Sequence, residues 1–120
     1  MAEPFHAQHV GLCTIRRDGP VLRVVGDIEQ ANWGEVADRI AAEIGAGAVR
    51  LDLTQVRFFG AAGVRALMKG CEARPCGVTL HLSCAPVVYR ALQICGLLTM
   101  GGLDVEALAD EQAPPPEAGR

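Results

Sequence analysis

The residues that could do chemistry are few in this chain, and their spacing does not bring them together. The histidines are His6, His9 and His81. His6 and His9 fall in a stretch without hydrophobic period, and His81 alternates outward on a predicted strand, so no Ser-His-Asp or Cys-His set is expected. The cysteines, Cys13, Cys71, Cys76, Cys84 and Cys95, are odd in number, contain no CxxC pair and are not bracketed by histidines at zinc-ligand spacing. They read as small buried apolar residues, with one further option: Cys71 and Cys76 could meet across a turn as a thiol switch. Asp27 and Glu29 read as a solvated approach to a helix N-terminus, where negative charge is favoured. Neither they nor Asp52 form a marked acid/base pair. GxGxxG and GxxxxGK[ST] are both absent. The expectation is a protein that is not an enzyme, with no catalytic residues, no metal and no cofactor.

One stretch, RFFGAAGVR, holds attention for the opposite reason. Arg57, Phe58, Phe59, Gly60, Ala61, Ala62, Gly63, Val64 and Arg65 lie between a strand pattern and a helix pattern. A helix N-terminus presents free N–H groups and partial positive charge, which suits an anion or a phosphorylated hydroxyl. No hydroxyl stands here. Gly60 and Gly63 either keep the backbone open to a visitor or let the helix pack tightly on the sheet, and both readings stand at this level.

The elements that position this turn follow from periodicity. Residues 11–16 and 21–26 flank Asp18-Gly19-Pro20 and read as a hairpin. Trp33, Val36, Ala37, Ile40, Ala41 and Ile44 form one stripe of a helix, with Asn32 as N-cap, Glu35 in the capping-box position and Gly45 or Gly47 as its end. Val49, Leu51 and Leu53 alternate as a strand; Val64, Leu67, Met68 and Cys71 return to helical spacing. Pro75-Cys76-Gly77 breaks that helix, and Val78, Leu80 and Leu82 make another strand. Pro86 opens a third helix that carries Val88, Ala91, Leu92 and Cys95 inward and ends at Gly96. A last strand is expected in LLTMGGLDV and a helical turn in EALADE. The domain plan is a flexible N-terminus over 1–9, one domain over 10–110 and a proline-rich, disordered tail over 111–120.

This order predicts an α/β fold with a mostly parallel sheet of four to five strands. The strands alternate apolar and polar, so the helices are expected mainly on one face. At 120 residues, half of them hydrophobic, the chain suits one domain with a real core. The net charge of −3 is mild and the arginines are scattered, which speaks against a nucleic-acid partner. No apolar run is long enough to span a bilayer and no signal-peptide pattern opens the chain, so a cytoplasmic protein without membrane insertion is expected, as a monomer or homodimer.

LDLTQVRFFGAAGVRALMKG resembles the signature of the STAS domain family, whose best-known members are bacterial anti-sigma factor antagonists. Asp52-Leu53-Thr54 is similar to that family's Asp-hydrophobic-Ser/Thr strand end, and Gly63-Val64 to the Gly-Leu that starts its helix. VLRVVGDIEQANWGEV and VTLHLSCAPVVYRALQICGL resemble further parts of the family, and the likeness runs roughly from residue 12 to 108. It implies a STAS (anti-sigma factor antagonist-like) fold and a role in signal transduction and transcription regulation. It implies partner binding at residues 57–65, the turn after the third predicted strand. The implied partner is an anti-sigma factor with a histidine-kinase-like ATPase fold, which in relatives phosphorylates a serine in the turn. Here Gly60 stands at the family's aspartate, Ala61 at its phospho-acceptor serine and Ala62 at the next residue, so the usual switch is missing. Thr54, the nearest hydroxyl, reads as a turn-stabilising group. Two alternatives remain: a STAS subunit docking on an ABC-transporter ATPase, and a small-ligand or nucleotide-sensing STAS domain.

Overall fold

The structure is a computed structural model that describes residues 6–108. Strand and helix alternate as the sequence predicts, with one strand more. The elements are β1 His6–Val10, β2 Cys13–Asp18, β3 Val21–Asp27, α1 Trp33–Gly45, β4 Arg50–Phe58, α2 Gly60–Cys71, β5 Leu80–Cys84, α3 Pro86–Ile94 and β6 Leu103–Ala107. The strands form one sheet in chain order. β1–β2 and β2–β3 pair antiparallel, whereas β3–β4, β4–β5 and β5–β6 pair parallel.

The sheet therefore has six strands, not four to five, and is mixed. The additional strand, β1, lies in the segment read as loose. An edge strand needs only one paired neighbour and little apolar alternation, so HAQHV carries no readable signal. Two boundaries also move inward: β4 starts at Arg50 and β5 at Leu80, leaving Val49 and Val78 outside the strands. Glu106 and Ala107, expected at the start of a helical turn, belong to β6 and pair with Ser83 and Cys84. Leu108 continues this extended path, its N–H donating to the Cys84 carbonyl at 2.8 Å; residues 109–111 of the expected turn and the proline-rich tail lie outside the described residues.

Alternation explains the layering. Cys13, Ile15, Leu22, Val24, Leu51, Leu53, Leu80, Leu82 and Cys84 are buried on one face of the sheet. Val36, Ala37, Ile40 and Ile44 of α1, Ala66 and Leu67 of α2, and Val88 and Leu92 of α3 complete that core. Each fully buried Leu or Ile removes enough apolar surface to stabilise the fold by about 1.5–3 kcal/mol. The residues between them, Arg16, Arg23, Asp52, Thr54, His81 and Ser83, remain at least partly exposed on the other face. There Arg23 pairs with Asp52 at 3.1 Å, and His81 Nδ1 lies 3.0 Å from Asp104.

Asn32 does not cap α1 with its side chain as expected. It is 2 % exposed, the one buried polar side chain among the described residues. Its Oδ1 accepts from the Glu29 N–H at 2.7 Å, and its Nδ2 donates to the carbonyls of Val10 and Asp27 at 2.9 and 3.0 Å. It thus ties the end of β1 to the β3–α1 connection, satisfying three backbone groups that a loop would otherwise bury unpaired.

Candidate functional site: the β4–α2 turn

The turn is set up inside β4. Between Arg23↔Asp52 and Val25↔Gln55 the register slips by one residue, and it slips again between Gly26↔Val56 and Asp27↔Phe58. A bulged residue loses its ladder partner and re-aims the side chains that follow. At the first slip Asp52 takes the ladder's place: its Oδ1 accepts from the Thr54 N–H at 3.0 Å and from the Thr54 hydroxyl at 2.6 Å. Its Oδ2 accepts from Arg23 Nε at 3.1 Å. Burial raises the Asp52 pKa, but these hydrogen bonds and the Arg23 charge outweigh it, and the carboxyl is held below its ordinary value. The Thr54 hydroxyl is thus engaged in the bulge, consistent with a turn-stabilising role.

The two phenylalanines part at the end of the strand. Phe58 is 55 % exposed, while Phe59 is 0 % exposed and belongs to the core. Phe59 precedes the helix as its N-cap residue, with no side-chain capping bond. Its ring lies where a Cβ on residue 63 would go, and its carbonyl accepts the Gly63 N–H at 2.6 Å. Gly63 is therefore a packing residue. Gly60 acts through its backbone: a φ of +55° lies in the left-handed region and turns the chain from strand into helix. Beyond its chain neighbours and its own helix, only the Phe58 ring, 3.9 Å from where a Cβ would lie, comes near it. The two glycines thus divide the two readings between them, with tight packing at Gly63 and an accessible backbone at Gly60.

Ala61 is exposed, and Ala62 and Val64 are half-buried. The flanking arginines are anchored instead of free. Arg57 Nε sits 3.3 Å from Asp27 Oδ1, and the Arg65 guanidinium lies 5.6 Å from the ring centroid of Trp33. The nine predicted residues thus run from the end of β4 into the first turns of α2, and two of them, Phe59 and Gly63, are buried and face the core. Sequence reading misses the supports Asp27 and Trp33; periodicity assigns Trp33 to the core stripe of α1, and only the packing of α1 on α2 shows its second contact. Beside the turn, on the helix-free face of the sheet, a groove of ≈ 560 Å³ is lined by Leu12, Thr14, Val25, Gly26 and residues 54–57.

The family model described as "Mlab, STAS domain" matches residues 13–105. This chain belongs to the STAS domain family. Among solved structures, an anti-sigma factor antagonist from Mycobacterium paratuberculosis superposes with a TM-score of 0.62 at 19% identity, covering 86% of this chain and 89% of that one. The anti-sigma factor antagonist SpoIIAA in its unphosphorylated form superposes with a TM-score of 0.52 at 19% identity, covering 90% of each chain. These likenesses carry the fold. No curated protein matches the chain. Within the STAS fold, the signature segment coincides with the bulged strand and the turn: Asp52 and Thr54 make the bulge, and Gly63 seats the core phenylalanine.

The remaining reactive groups lie elsewhere. Cys13, Cys71 and Cys84 are buried, and burial is the main cause that pushes their thiols up to about 11, 12 and 12. Cys76 and Cys95 are exposed, against the expectation of buried thiols and of Cys95 on the inner stripe of α3: Cys95 follows the last helical residue, where the helical period no longer turns it inward. The suggested Cys71–Cys76 switch would thus join a buried thiol to a surface one. Among the described residues no group of three His, Cys, Asp or Glu is placed to hold a metal, and no helix is long and apolar enough to cross a membrane.

Proposed function

We propose that this STAS domain is a non-enzymatic regulatory protein that binds an anti-sigma factor of the histidine-kinase-like ATPase type through the β4–α2 turn. The observation that carries the reading is the division of labour between adjacent residues: Phe59 locks the turn to the core, which leaves Phe58, Gly60 and Ala61 presented on a rigid support. An exposed aromatic beside an approachable backbone is a suitable contact patch, because little conformational freedom is lost when a partner covers it. The solved anti-sigma factor antagonists share this fold. Ala61 has no hydroxyl, so phosphorylation at this position is chemically closed, and the domain stays competent to bind without that off-switch.

The test is affinity capture from source cells, identification of the recovered protein, and calorimetric titration of that protein in pure form with wild type and Ala61→Asp. A carboxylate forced into a packed interface should weaken binding roughly tenfold or more. Equal binding by the variant removes the turn from the interface. Recovery of an ATP-binding cassette subunit in place of an anti-sigma factor assigns the same surface to a transporter.

A further inference from the structure

The outer faces of α2 and α3 carry charge of one sign. α2 exposes Arg65 and Lys69, α3 exposes Arg90, and residues 60–71 and 86–94 contain no carboxylate. Neither helix has an acidic residue in its first turn, where one commonly offsets the partial positive charge of the free N–H groups. α1 is the reverse, with Glu35, Asp38 and Glu43 against Arg39. The chain as a whole is acidic at −3, so the basic face is a matter of placement and not of composition. Glu72 sits just past the C-terminal end of α2.

The same surface has apolar anchors. β4 and β5 are parallel neighbours, so α2 and α3 both follow the C-terminal ends of their strands, α2 further out because β4 runs on to Phe58 beyond the Leu53↔Cys84 pair, and the two helices touch. At these ends Phe58, the last residue of β4, is 55 % exposed, and Val87, in the first turn of α3, is 41 % exposed. The stack on Trp33 holds Arg65 in place without neutralising it. Large exposed apolar side chains on the same pair of strand–helix units as cations with no acidic partner among the described residues form the pattern of a docking face whose partner supplies the missing charge.

We propose that the docking surface is the combined α2–α3 face, and that its occupant is a protein segment presenting apolar side chains to Phe58 and Val87 and carboxylates to Arg65, Lys69 and Arg90. This rests on the reading of the β4–α2 turn as a partner site and adds α3 and the partner's charge to it. Association should be steered electrostatically and weaken with salt. The sign of the face also gives position 61 a direction: a negative group there would repel an acidic partner, whereas a positive one would not.

The test is selection of a random dodecapeptide phage library on the immobilised wild-type protein, followed by fluorescence-polarisation titration of the recovered peptides. The expected peptides combine Asp or Glu with Leu or Phe, and bind more weakly at about 300 mM than at about 50 mM salt. Lys69→Glu and Arg90→Glu should each weaken them roughly tenfold, and Val87→Ser several-fold. All three positions are at the surface, and circular dichroism checks that each variant folds. No enrichment, peptides without excess acid, or equal binding by Arg90→Glu overturns the proposal. So does retention of the chain on phosphatidylglycerol vesicles that is lost in Arg90→Glu, which would assign the face to a membrane. If the partner recovered from cells responds to Ala61→Asp but not to Arg90→Glu or Val87→Ser, this proposal fails while the turn reading stands. The opposite pattern moves the site to α3.

Discussion

The ring of Phe59 occupies the space that a side chain on Gly63 would need, and the Phe59 carbonyl accepts the Gly63 N–H at 2.6 Å. Residue 63 therefore sets how deeply the start of α2 sinks onto the core. Gly63→Ala must displace a fully buried ring, and overpacking of this kind costs about 1–3 kcal/mol. Urea unfolding should show the loss as a lower midpoint, and Ala61→Gly, at an exposed position in the same turn, should lose clearly less. An unchanged midpoint for Gly63→Ala would mean that the ring has room to move.

The Asp52 carboxylate binds the bulge of β4 through Thr54 and Arg23. Its folded pKa lies below the ordinary value of 3.8, so its contribution is present above about pH 4 and lost as the pH falls through the folded value. Asp52→Asn should flatten the acid limb of a stability–pH profile below about pH 4. Thr54→Val, which removes one hydroxyl donor, should lower stability by about 1 kcal/mol at neutral pH. A wild-type acid limb that survives in Asp52→Asn places the titration elsewhere.

Three thiols are buried and two are exposed. With Cys13, Cys71 and Cys84 raised to about 11, 12 and 12, Ellman's reagent at neutral pH should react quickly with Cys76 and Cys95 only, the other three following on unfolding. The folded pKa values are raised, so the stability they lend is full below the unfolded thiol value of about 8.5 and declines as pH rises above it. Fast reaction of three or more thiols in the folded protein contradicts this assignment.

Asn32 satisfies three backbone groups from a buried position. Asn32→Leu leaves the Val10 and Asp27 carbonyls and the Glu29 N–H to be desolvated without a partner, at about 1–3 kcal/mol for each group left unpaired. Thermal unfolding should register a large drop, and amide exchange should quicken first at the β1–β2 hairpin and the β3–α1 connection. A variant as stable as wild type would show that water replaces the side chain.

Much of the architecture was legible because it depends on local rules. The stripe from Val36 to Ile44 could only be a helix face, and Leu51 and Leu53, alternating with Asp52, could only be a half-buried strand. The signature around the turn was legible for the same reason: Asp52, Thr54, Gly60 and Gly63 are residue types suited to backbone roles. β1 was not legible, because an edge strand is held by pairing with β2 instead of by its own pattern. Asn32 misled because its type suits a helix cap, while the groups it serves, Val10 and Asp27, come from other parts of the chain.

By itself, then, the sequence determined the alternation of strands and helices from β2 to α3, the apolar face of α1 and of the central strands, and the absence of a hydroxyl at position 61. Only the tertiary structure decided that Phe59 turns inward and Phe58 outward. It also decided that Gly63 serves packing, and that Arg65 lies over the ring of Trp33. Periodicity assigns a residue to a face of its own element. Two register slips in β4 and the side-by-side placement of parallel crossovers are relations between elements, and no local pattern records them.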